Sequence, residues 1–211
     1  MDFREVNEYL ARLTQHHDPI LQEMEEEARR RRFPIIGPAA GQFCYFLSRV
    51  IGARNIYEMG SGYGYSTAWF AKAVRDNGGG VVHHVVWDEE LSALAREYLD
   101  RAGLGEYVRY TVGEAVSALQ ETDGPFDVIF CDIDKQGYPE AFRVLKPKLR
   151  PGGLVIVDNV LWHGRAWNPA ETDAATQGVR KVTEMLYSDP EFVTTLAPIR
   201  DGLLVGWKIP E

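Results

Sequence analysis

Apolar residues recur every three or four positions in the first quarter of the 211-residue chain. This spacing predicts helix over residues 3–31, with a restart at Asp18-Pro19, and a second, buried helix over Ala39–Ile51. Both segments precede the first predicted strand. We therefore expect residues 1–52 to be a helical addition to the core fold that caps a site or a partner subunit.

From residue 56 onward, short apolar runs alternate with longer amphipathic segments. The runs predict strands at Ile56–Met59, Val81–Val86, Tyr107–Thr111, Asp127–Cys131 and Leu154–Val157. Helices are predicted at Ser66–Asp76, Glu89–Ala102, Glu114–Leu119, Pro139–Leu149 and Thr176–Tyr187. Regular alternation of strand and helix is typical of a doubly wound α/β fold with a mostly parallel sheet.

The C-terminal segment has a different pattern. Two apolar runs, Phe192–Ala197 and Leu203–Ile209, are joined by a short turn that contains Asp201-Gly202. This arrangement predicts a hairpin, which adds an antiparallel edge to the sheet and gives seven strands in all. We expect one domain over residues 1–211, with the α/β core over 53–211.

Composition limits the classes of function. Apolar residues make up 45% of the chain and charged residues 26%, which is ordinary for a soluble globular domain. Cys44 and Cys131 lie far apart and indicate neither a zinc site nor a disulfide framework. The first residues lack a signal-peptide pattern, and no apolar run is long enough to span a membrane. The cytoplasm is therefore the expected compartment.

The net charge of −8 argues against a general binder of phosphate backbones. A local basic run, Arg29–Arg32, leaves two interpretations open. It can be a nucleic-acid contact, or it can be a solvated helix face whose arginines pair with the acids of Glu25–Glu27.

Closely spaced glycines follow the first predicted strand, in the order Glu58-Met-Gly60-Ser-Gly62-Tyr-Gly64. Glycines at this spacing let the backbone turn sharply from strand into helix and let a ligand approach the main chain. The spacing differs from the GxGxxG of dinucleotide sites, which disfavours NAD. A turn without a ligand is the alternative, but the acid Glu58 before the first glycine then needs its own explanation.

Polar side chains follow two further predicted strands. Asp132 and Lys135 follow the fourth, and Asp158-Asn159 follows the fifth. Because ligands of open α/β sheets bind beyond the carboxyl ends of the strands, we expect these groups to lie together. Carboxylate and amide oxygens suit Mg²⁺, Mn²⁺ or Ca²⁺. Alternatively, Asp158-Asn159 caps a turn and Lys135 is a surface lysine.

Together these stretches resemble the cation-dependent class I O-methyltransferases, the caffeoyl-CoA and catechol O-methyltransferase group. The stretches are Glu58-Met-Gly-Ser-Gly-Tyr-Gly-Tyr-Ser, Phe130-Cys-Asp-Ile-Asp-Lys135 and Asp158-Asn-Val-Leu-Trp162. The resemblance covers essentially the whole chain, through Arg200-Asp201-Gly202-Leu203. It implies a Rossmann-like methyltransferase fold, S-adenosylmethionine as the cofactor, a divalent cation and a homodimer.

The resemblance also implies roles for individual residues. The cofactor site would comprise Ile36, Glu58, Gly60, Gly62, Tyr65, Ser66, Asp88, Gly113, Ala115 and Asp132. The cation would be held by Asp132, Asp158 and Asn159. The family usually ends its second strand with an acid that binds the ribose hydroxyls, but Val86 stands there in this chain. Asp88, two residues later, is the candidate replacement.

The resulting hypothesis is methyl transfer from S-adenosylmethionine to one oxygen of a vicinal dihydroxy aromatic molecule. The cation would chelate both oxygens, and Lys135 would remove the proton. Trp162 and Tyr138 are predicted to wall a flat substrate, or else to be ordinary packing. Two alternatives stay open: a tRNA hydroxyuridine O-methyltransferase with Arg29–Arg32 on phosphate, and a non-catalytic nucleotide-binding member.

Overall fold

The computed structural model describes residues 3–14 and 18–210, and in that part of the chain seven strands form one sheet. The strands are β1 (Asn55–Met59), β2 (Val81–Val86), β3 (Val108–Val112), β4 (Phe126–Cys131), β5 (Leu149–Val157), β6 (Phe192–Ala197) and β7 (Leu203–Lys208). Their order is β3-β2-β1-β4-β5-β7-β6. Strands β1 to β5 are parallel, and β7 is antiparallel to both β5 and β6. The predicted seven-stranded, mostly parallel sheet is confirmed.

The helices cover both faces of this sheet. Over the described residues they are α1 (Phe3–Leu13), α2 (Pro19–Arg31), α3 (Gly37–Val50), α4 (Tyr65–Asp76), α5 (Glu89–Arg101), α6 (Ala115–Glu121), α7 (Tyr138–Leu145) and α8 (Ala174–Ser188). The predicted restart at Asp18-Pro19 is seen, since the Asp18 carboxylate caps α2. Helix α7 ends four residues earlier than predicted, and β5 begins at Leu149 instead. Pro147 explains the early end, because proline cannot continue a helix.

Alternate residues of the central strands enter two separate cores. Ile56 of β1 and Phe130 of β4 pack in a core that also contains buried residues of α3 and α4. The next residue of β1, Tyr57, packs in the opposite core with residues of α7 and α8. This period of two is the reason that continuous apolar runs form the strands of a sheet buried on both faces.

Three strands end at the same level, and this places the polar residues beyond them. Met59, Cys131 and Val157 are register partners across β1, β4 and β5. The chain continues this alignment past the strands. The Asp132 N–H donates to the Met59 carbonyl at 2.9 Å, and the Asp158 N–H donates to the Cys131 carbonyl at 3.1 Å. The expectation that the ends of β4 and β5 meet at one edge is therefore correct.

The N-terminal helices pack on the core and reach this edge. Leu21 and Met24 of α2 are buried in the same core as α4. The side chain of Asn7 in α1 hydrogen-bonds with the backbone of Arg200, in the turn between β6 and β7. None of the helices in residues 3–14 and 18–210 has the length and apolar character needed to cross a lipid bilayer.

Candidate active site

The glycine turn after β1 passes close to the end of β4. Gly60, Gly62 and Gly64 all have positive φ, between 51° and 90°. A Cβ atom at Gly60 would lie 2.2 Å from the Asp132 carbonyl oxygen, and one at Gly64 would lie 2.9 Å from the Cβ of Ala95. Both positions therefore require glycine for space as well as for conformation. The predicted role of these glycines in a tight strand-to-helix turn fits this geometry.

Glu58 lies under this turn and is fully buried. Its Oε2 accepts a hydrogen bond of 2.5 Å from Thr67 at the start of α4, and Thr67 also contacts His84 Nδ1 at 3.0 Å. Its Oε1 has no hydrogen-bond partner among the described residues. Burial raises the pKa of Glu58 to about 7, although the hydroxyls of Ser66 and Thr67 act in the opposite direction.

A cavity of 740 Å³ opens beside the turn, at the carboxyl ends of β1, β2 and β4. Most of the residues that the sequence assigned to a cofactor line it: Ile36, Gly60, Gly62, Tyr65, Ser66, Gly113, Ala115 and Asp132. Lys135 lines it as well. Glu58 lies behind the wall and Asp88 lies outside it. The cavity lies where the strand order reverses between β1 and β4, at the carboxyl ends of the strands. This position and the volume are those expected for a nucleotide-sized ligand.

The end of β2 differs from the prediction made for Asp88. The Asp88 carboxylate accepts the Leu91 N–H at 2.9 Å and so caps α5, and Asp88 is not part of the cavity wall. Val86 and Trp87 line the cavity there instead. Sequence reasoning missed Trp87, whose side chain is 73% exposed. An aromatic residue directly after a buried strand was the available signal.

The acids after β4 and β5 each have a cationic partner. Lys135 Nζ donates to Asp132 Oδ1 at 2.7 Å, and Arg200 Nη1 donates to Asp158 Oδ2 at 2.7 Å. Asp158 is fully buried. Burial and the negative charge of Asp132 raise the pKa of Asp158, whereas Arg200 opposes them. The structure thus brings the predicted ligands together, along with a guanidinium to which sequence reasoning gave no role.

The two predicted aromatic substrate residues have different surroundings. Tyr138 is 1% exposed, and its hydroxyl donates to the Asp158 carbonyl at 2.8 Å. Tyr138 is therefore buried packing that fixes the end of β5, which is the second of the two interpretations open for it. Trp162 is partly buried, with positive φ, and its ring centroid lies 5.8 Å from Lys135 Nζ. It remains a candidate to contact a substrate.

Asn159 and its neighbours complete the site. Asn159 has a φ of 59°, and its Nδ2 lies 3.4 Å from Asp201 Oδ2. Buried Asp201 also accepts the His163 N–H at 2.7 Å, and its carbonyl accepts the Leu161 N–H at 2.8 Å. The turn between β6 and β7 is therefore tied to the segment after β5.

The sheet order, the glycine turn and the cavity at the strand ends together define a class I methyltransferase. Over residues 11–209, the chain matches the family model described as O-methyltransferase. It is 35% identical over 190 residues to a catechol O-methyltransferase from Niastella koreensis, which covers 87% of this chain and 85% of that protein. The chain belongs to the O-methyltransferase family.

Solved structures agree with this assignment. The O-methyltransferase from Bacillus cereus in complex with S-adenosylhomocysteine (SAH) superposes with a TM-score of 0.86 at 31% identity, covering 97% of both chains. TomG from Streptomyces achromogenes, an O-methyltransferase of tomaymycin synthesis in complex with S-adenosylmethionine (SAM), gives 0.86 at 29% identity, covering 97% of this chain and 96% of its own. The protein is therefore a SAM-dependent methyltransferase.

The residues present fit this cofactor. Gly60 and Gly62 line the cavity without side chains, and the buried Oε1 of Glu58 has no partner among the described residues. An unpaired buried carboxylate oxygen is costly, so a cationic ligand beside it is a consistent explanation. The methionine end of SAM carries an ammonium and a sulfonium, and the cavity wall offers Asp132 and the Ser66 hydroxyl near the same turn.

Proposed function

We propose that this protein transfers a methyl group from SAM to a hydroxyl of a catechol-like small molecule. The observation that carries the proposal is the Asp132–Lys135 ion pair, which forms one wall of the cofactor cavity. Lys135 Nζ also lies 5.8 Å from the ring centroid of Trp162, in the segment after β5. The identity to a catechol O-methyltransferase supports the same class of acceptor.

In this proposal SAM, when bound, supplies an electrophilic methyl group, and the chain supplies position and charge. Lys135 Nζ lies 5.3 Å from the Tyr138 ring centroid and 5.8 Å from that of Trp162. These rings and Asp132 hold the lysine at the cavity wall. After Lys135 has released its own proton to solvent, its neutral amine receives the proton of the acceptor hydroxyl. Trp162 covers one face of the aromatic acceptor. Positioning of this kind accounts for much of the rate of a bimolecular transfer.

A divalent cation was predicted at Asp132, Asp158 and Asn159, and its fit depends on both donor chemistry and charge. Hard oxygen donors suit Mg²⁺ or Mn²⁺. The charge balance does not suit a divalent cation, because Lys135 and Arg200 already pair with the carboxylates of Asp132 and Asp158. No step of the mechanism proposed above needs the cation.

The contacts of the basic run Arg29–Arg32 do not favour tRNA as the acceptor. In the run Arg29–Arg32, both Arg30 and Arg31 form ion pairs with Glu27 on the same helix. This is the helix-face interpretation of the run. Transfer of labelled methyl groups to bulk tRNA, but not to catechols, would overturn the small-molecule proposal.

The proposal is tested by calorimetry with SAM, followed by methyl transfer to a panel of aromatic acceptors. Rings with two vicinal hydroxyls should be methylated, and matched rings with one hydroxyl should react much more slowly. Equal rates on both would contradict a catechol-like acceptor. Light scattering on the same preparation checks the predicted homodimer.

Lys135→Met tests the proposed proton acceptor. We expect kcat to fall by about 10²–10⁴-fold, the usual contribution of a general base, with SAM affinity nearly unchanged. Lys181→Met is the matched control, because Lys181 pairs with Glu184 on the exposed face of α8. If both variants keep wild-type kcat, Lys135 has no role in the proton transfer.

A further inference from the structure

Arg200 is held in a strained position at the edge of the site. It has a φ of 54°, a conformation that non-glycine residues rarely adopt. Its N–H donates to Asn7 Oδ1 at 2.8 Å, and the following turn is bonded to the chain after β5. Such strain persists only where the surroundings fix the residue, and here they aim its side chain at the end of β5.

The Arg200 guanidinium is one of two groups that hydrogen-bond to the buried carboxylate of Asp158. Arg200 Nη1 donates to Asp158 Oδ2 at 2.7 Å, and the Asn159 N–H donates to Asp158 Oδ1 at 2.7 Å. Both oxygens of Asp158 are therefore engaged by the chain itself. A metal ion at Asp158 would either displace Arg200 from a fully buried partner or lie directly beside its positive charge, and both cost free energy.

The carboxylates at the ends of β4 and β5 are each paired with one cation, Asp132 with Lys135 and Asp158 with Arg200. The site also contains the buried carboxylate of Asp201 beside Asn159. A divalent cation would still leave a net positive charge beside the cationic methyl donor. In a site of low dielectric, that repulsion is much larger than in water.

We infer that Arg200 takes the place of the divalent cation in this chain, so that methyl transfer proceeds without added metal. A guanidinium is planar and has five N–H donors, which suits two neighbouring oxygens of one ligand. Its side chain is 30% exposed, so part of it faces outward. Arg200 would hold the two oxygens of a vicinal dihydroxy acceptor. This acceptor role rests on the proposed function, whereas the exclusion of metal does not.

Binding of Mn²⁺ tests the exclusion of metal directly, since free Mn²⁺ gives an electron paramagnetic resonance signal that is lost on binding. Wild-type protein should leave the signal unchanged, and Arg200→Gly should bind with about tenfold or higher affinity because an unpaired buried carboxylate is exposed to the ion. Arg32→Gly is the matched control, because Arg32 is an exposed arginine with a φ of 53°. Tight Mn²⁺ binding by the wild type, abolished by Asp158→Asn, would overturn the inference.

Thermal unfolding keeps the test interpretable if Arg200→Gly is unstable. Mg²⁺ should raise the Tm of this variant and leave those of the wild type and Arg32→Gly unchanged, since a ligand of the native state stabilises it. A variant that loses stability but gains nothing from Mg²⁺ or Mn²⁺ would also contradict the inference.

Activity separates this inference from the proposed function. Wild-type methyl transfer should be the same with EDTA and with Mg²⁺, and Arg200→Gly should need Mg²⁺. Full loss of wild-type activity in EDTA, restored by Mg²⁺, would overturn the metal-free step while leaving methyl transfer to catechols intact. No transfer to any catechol, with Mn²⁺ still excluded, would overturn the proposed acceptor alone.

Discussion

Two carboxylates of the site, Glu58 just before the glycine turn and Asp158 at the end of β5, are both fully buried but differ in their partners. Oε2 of Glu58 accepts a hydrogen bond from the Thr67 hydroxyl, and its Oε1 has no hydrogen-bond partner within normal distance among the described residues. Asp158 has a guanidinium on one oxygen and a backbone N–H on the other. Burial raises the pKa of both, but only Asp158 has a full opposing charge.

The difference indicates which half of the site can receive a charged ligand. A buried carboxylate with an unpaired oxygen gains from a cationic ligand, while one with an arginine loses a partner if another cation arrives. The glycine turn is therefore suited to the cationic cofactor. At the ends of β4 and β5 each carboxylate already has a cationic partner, and we expect this half of the site to bind the acceptor through hydrogen bonds.

The largest expected effect comes from closing the space at Gly60. In Gly60→Ala the new Cβ would meet the Asp132 carbonyl at 2.2 Å, and φ would stay at 85°. We expect a loss of about 2–4 kcal/mol in the free energy of unfolding, from overpacking and left-handed strain combined. SAM affinity should fall as well, because Gly60 and Asp132 both line the cavity. Urea unfolding and calorimetry measure the two effects.

Gly52→Ala separates the clash from the strain. Gly52 has a φ of 63°, but nothing lies within 4 Å of the point that a Cβ atom would occupy there. This variant should lose about 1 kcal/mol, the cost of the conformation alone, and keep its SAM affinity. If Gly60→Ala and Gly52→Ala lose the same free energy of unfolding, the close approach of the glycine turn to β4 does not contribute to stability.

The glycine turn could be predicted because its cause is local. The spacing of glycines after an apolar run fixes where strand becomes helix, and the acids after β4 and β5 follow from where those strands end. The role of Arg200 could not be predicted in this way. It depends on β7 lying between β5 and β6, which brings the turn between β6 and β7 next to Asp158. That order is set by long-range pairing.

Side-chain direction explains the other differences. Tyr138 follows Lys135 closely in sequence, but in α7 its side chain enters the core instead of the cavity. Asp88 precedes Glu89 at the start of α5, and a helix N-terminus offers a nearby donor that competes for its carboxylate. The second case had a usable signal, since Asp before a predicted helix is typical of an N-cap.

The next effect in size concerns the charge of Glu58. The pKa of Glu58 is about 7 in the folded state, against its ordinary value of 4.5, so the folded state retains a proton that the unfolded chain releases. This contribution to stability is fully present below the unfolded pKa and is lost as pH rises through 7, by about 3 kcal/mol. Glutamine does not titrate, so the free energy of unfolding of Glu58→Gln should not show this fall. Between pH 5 and pH 8 the variant should therefore gain about 3 kcal/mol relative to wild type. Urea unfolding across this range measures it.

Asp127→Asn is a control of opposite sign. Burial alone would raise the pKa of Asp127, but hydrogen bonds from Arg150 and from backbone N–H groups lower it. Its contribution to stability is present above its ordinary pKa of 3.8 and is lost as pH falls through the lower folded pKa, so this variant should lose the same stability relative to wild type at pH 5 and at pH 8. If Glu58→Gln changes stability equally at both ends of the range, Glu58 is ionised throughout and the contrast with Asp158 fails. Calorimetry on Glu58→Gln should also show about tenfold weaker SAM binding, since a charged partner is lost.

The smallest effect tests whether the cavity wall at β2 is part of the cofactor side of the site. Trp87 lines the cavity and is 73% exposed, whereas Trp167 is 68% exposed and lies away from that wall. Trp87→Ala should therefore weaken SAM binding about tenfold, the usual size of an aromatic contact of about 1–1.5 kcal/mol, and Trp167→Ala should not. Neither should change stability by more than about 0.5 kcal/mol, because both side chains are largely solvated.

Since the Val86 side chain offers no hydrogen-bond acceptor at this strand end, apolar and stacking contact with Trp87 is the binding mode that the structure supports. If SAM affinity is unchanged in Trp87→Ala, the wall at β2 does not contribute to cofactor binding, and the glycine turn alone binds the cofactor.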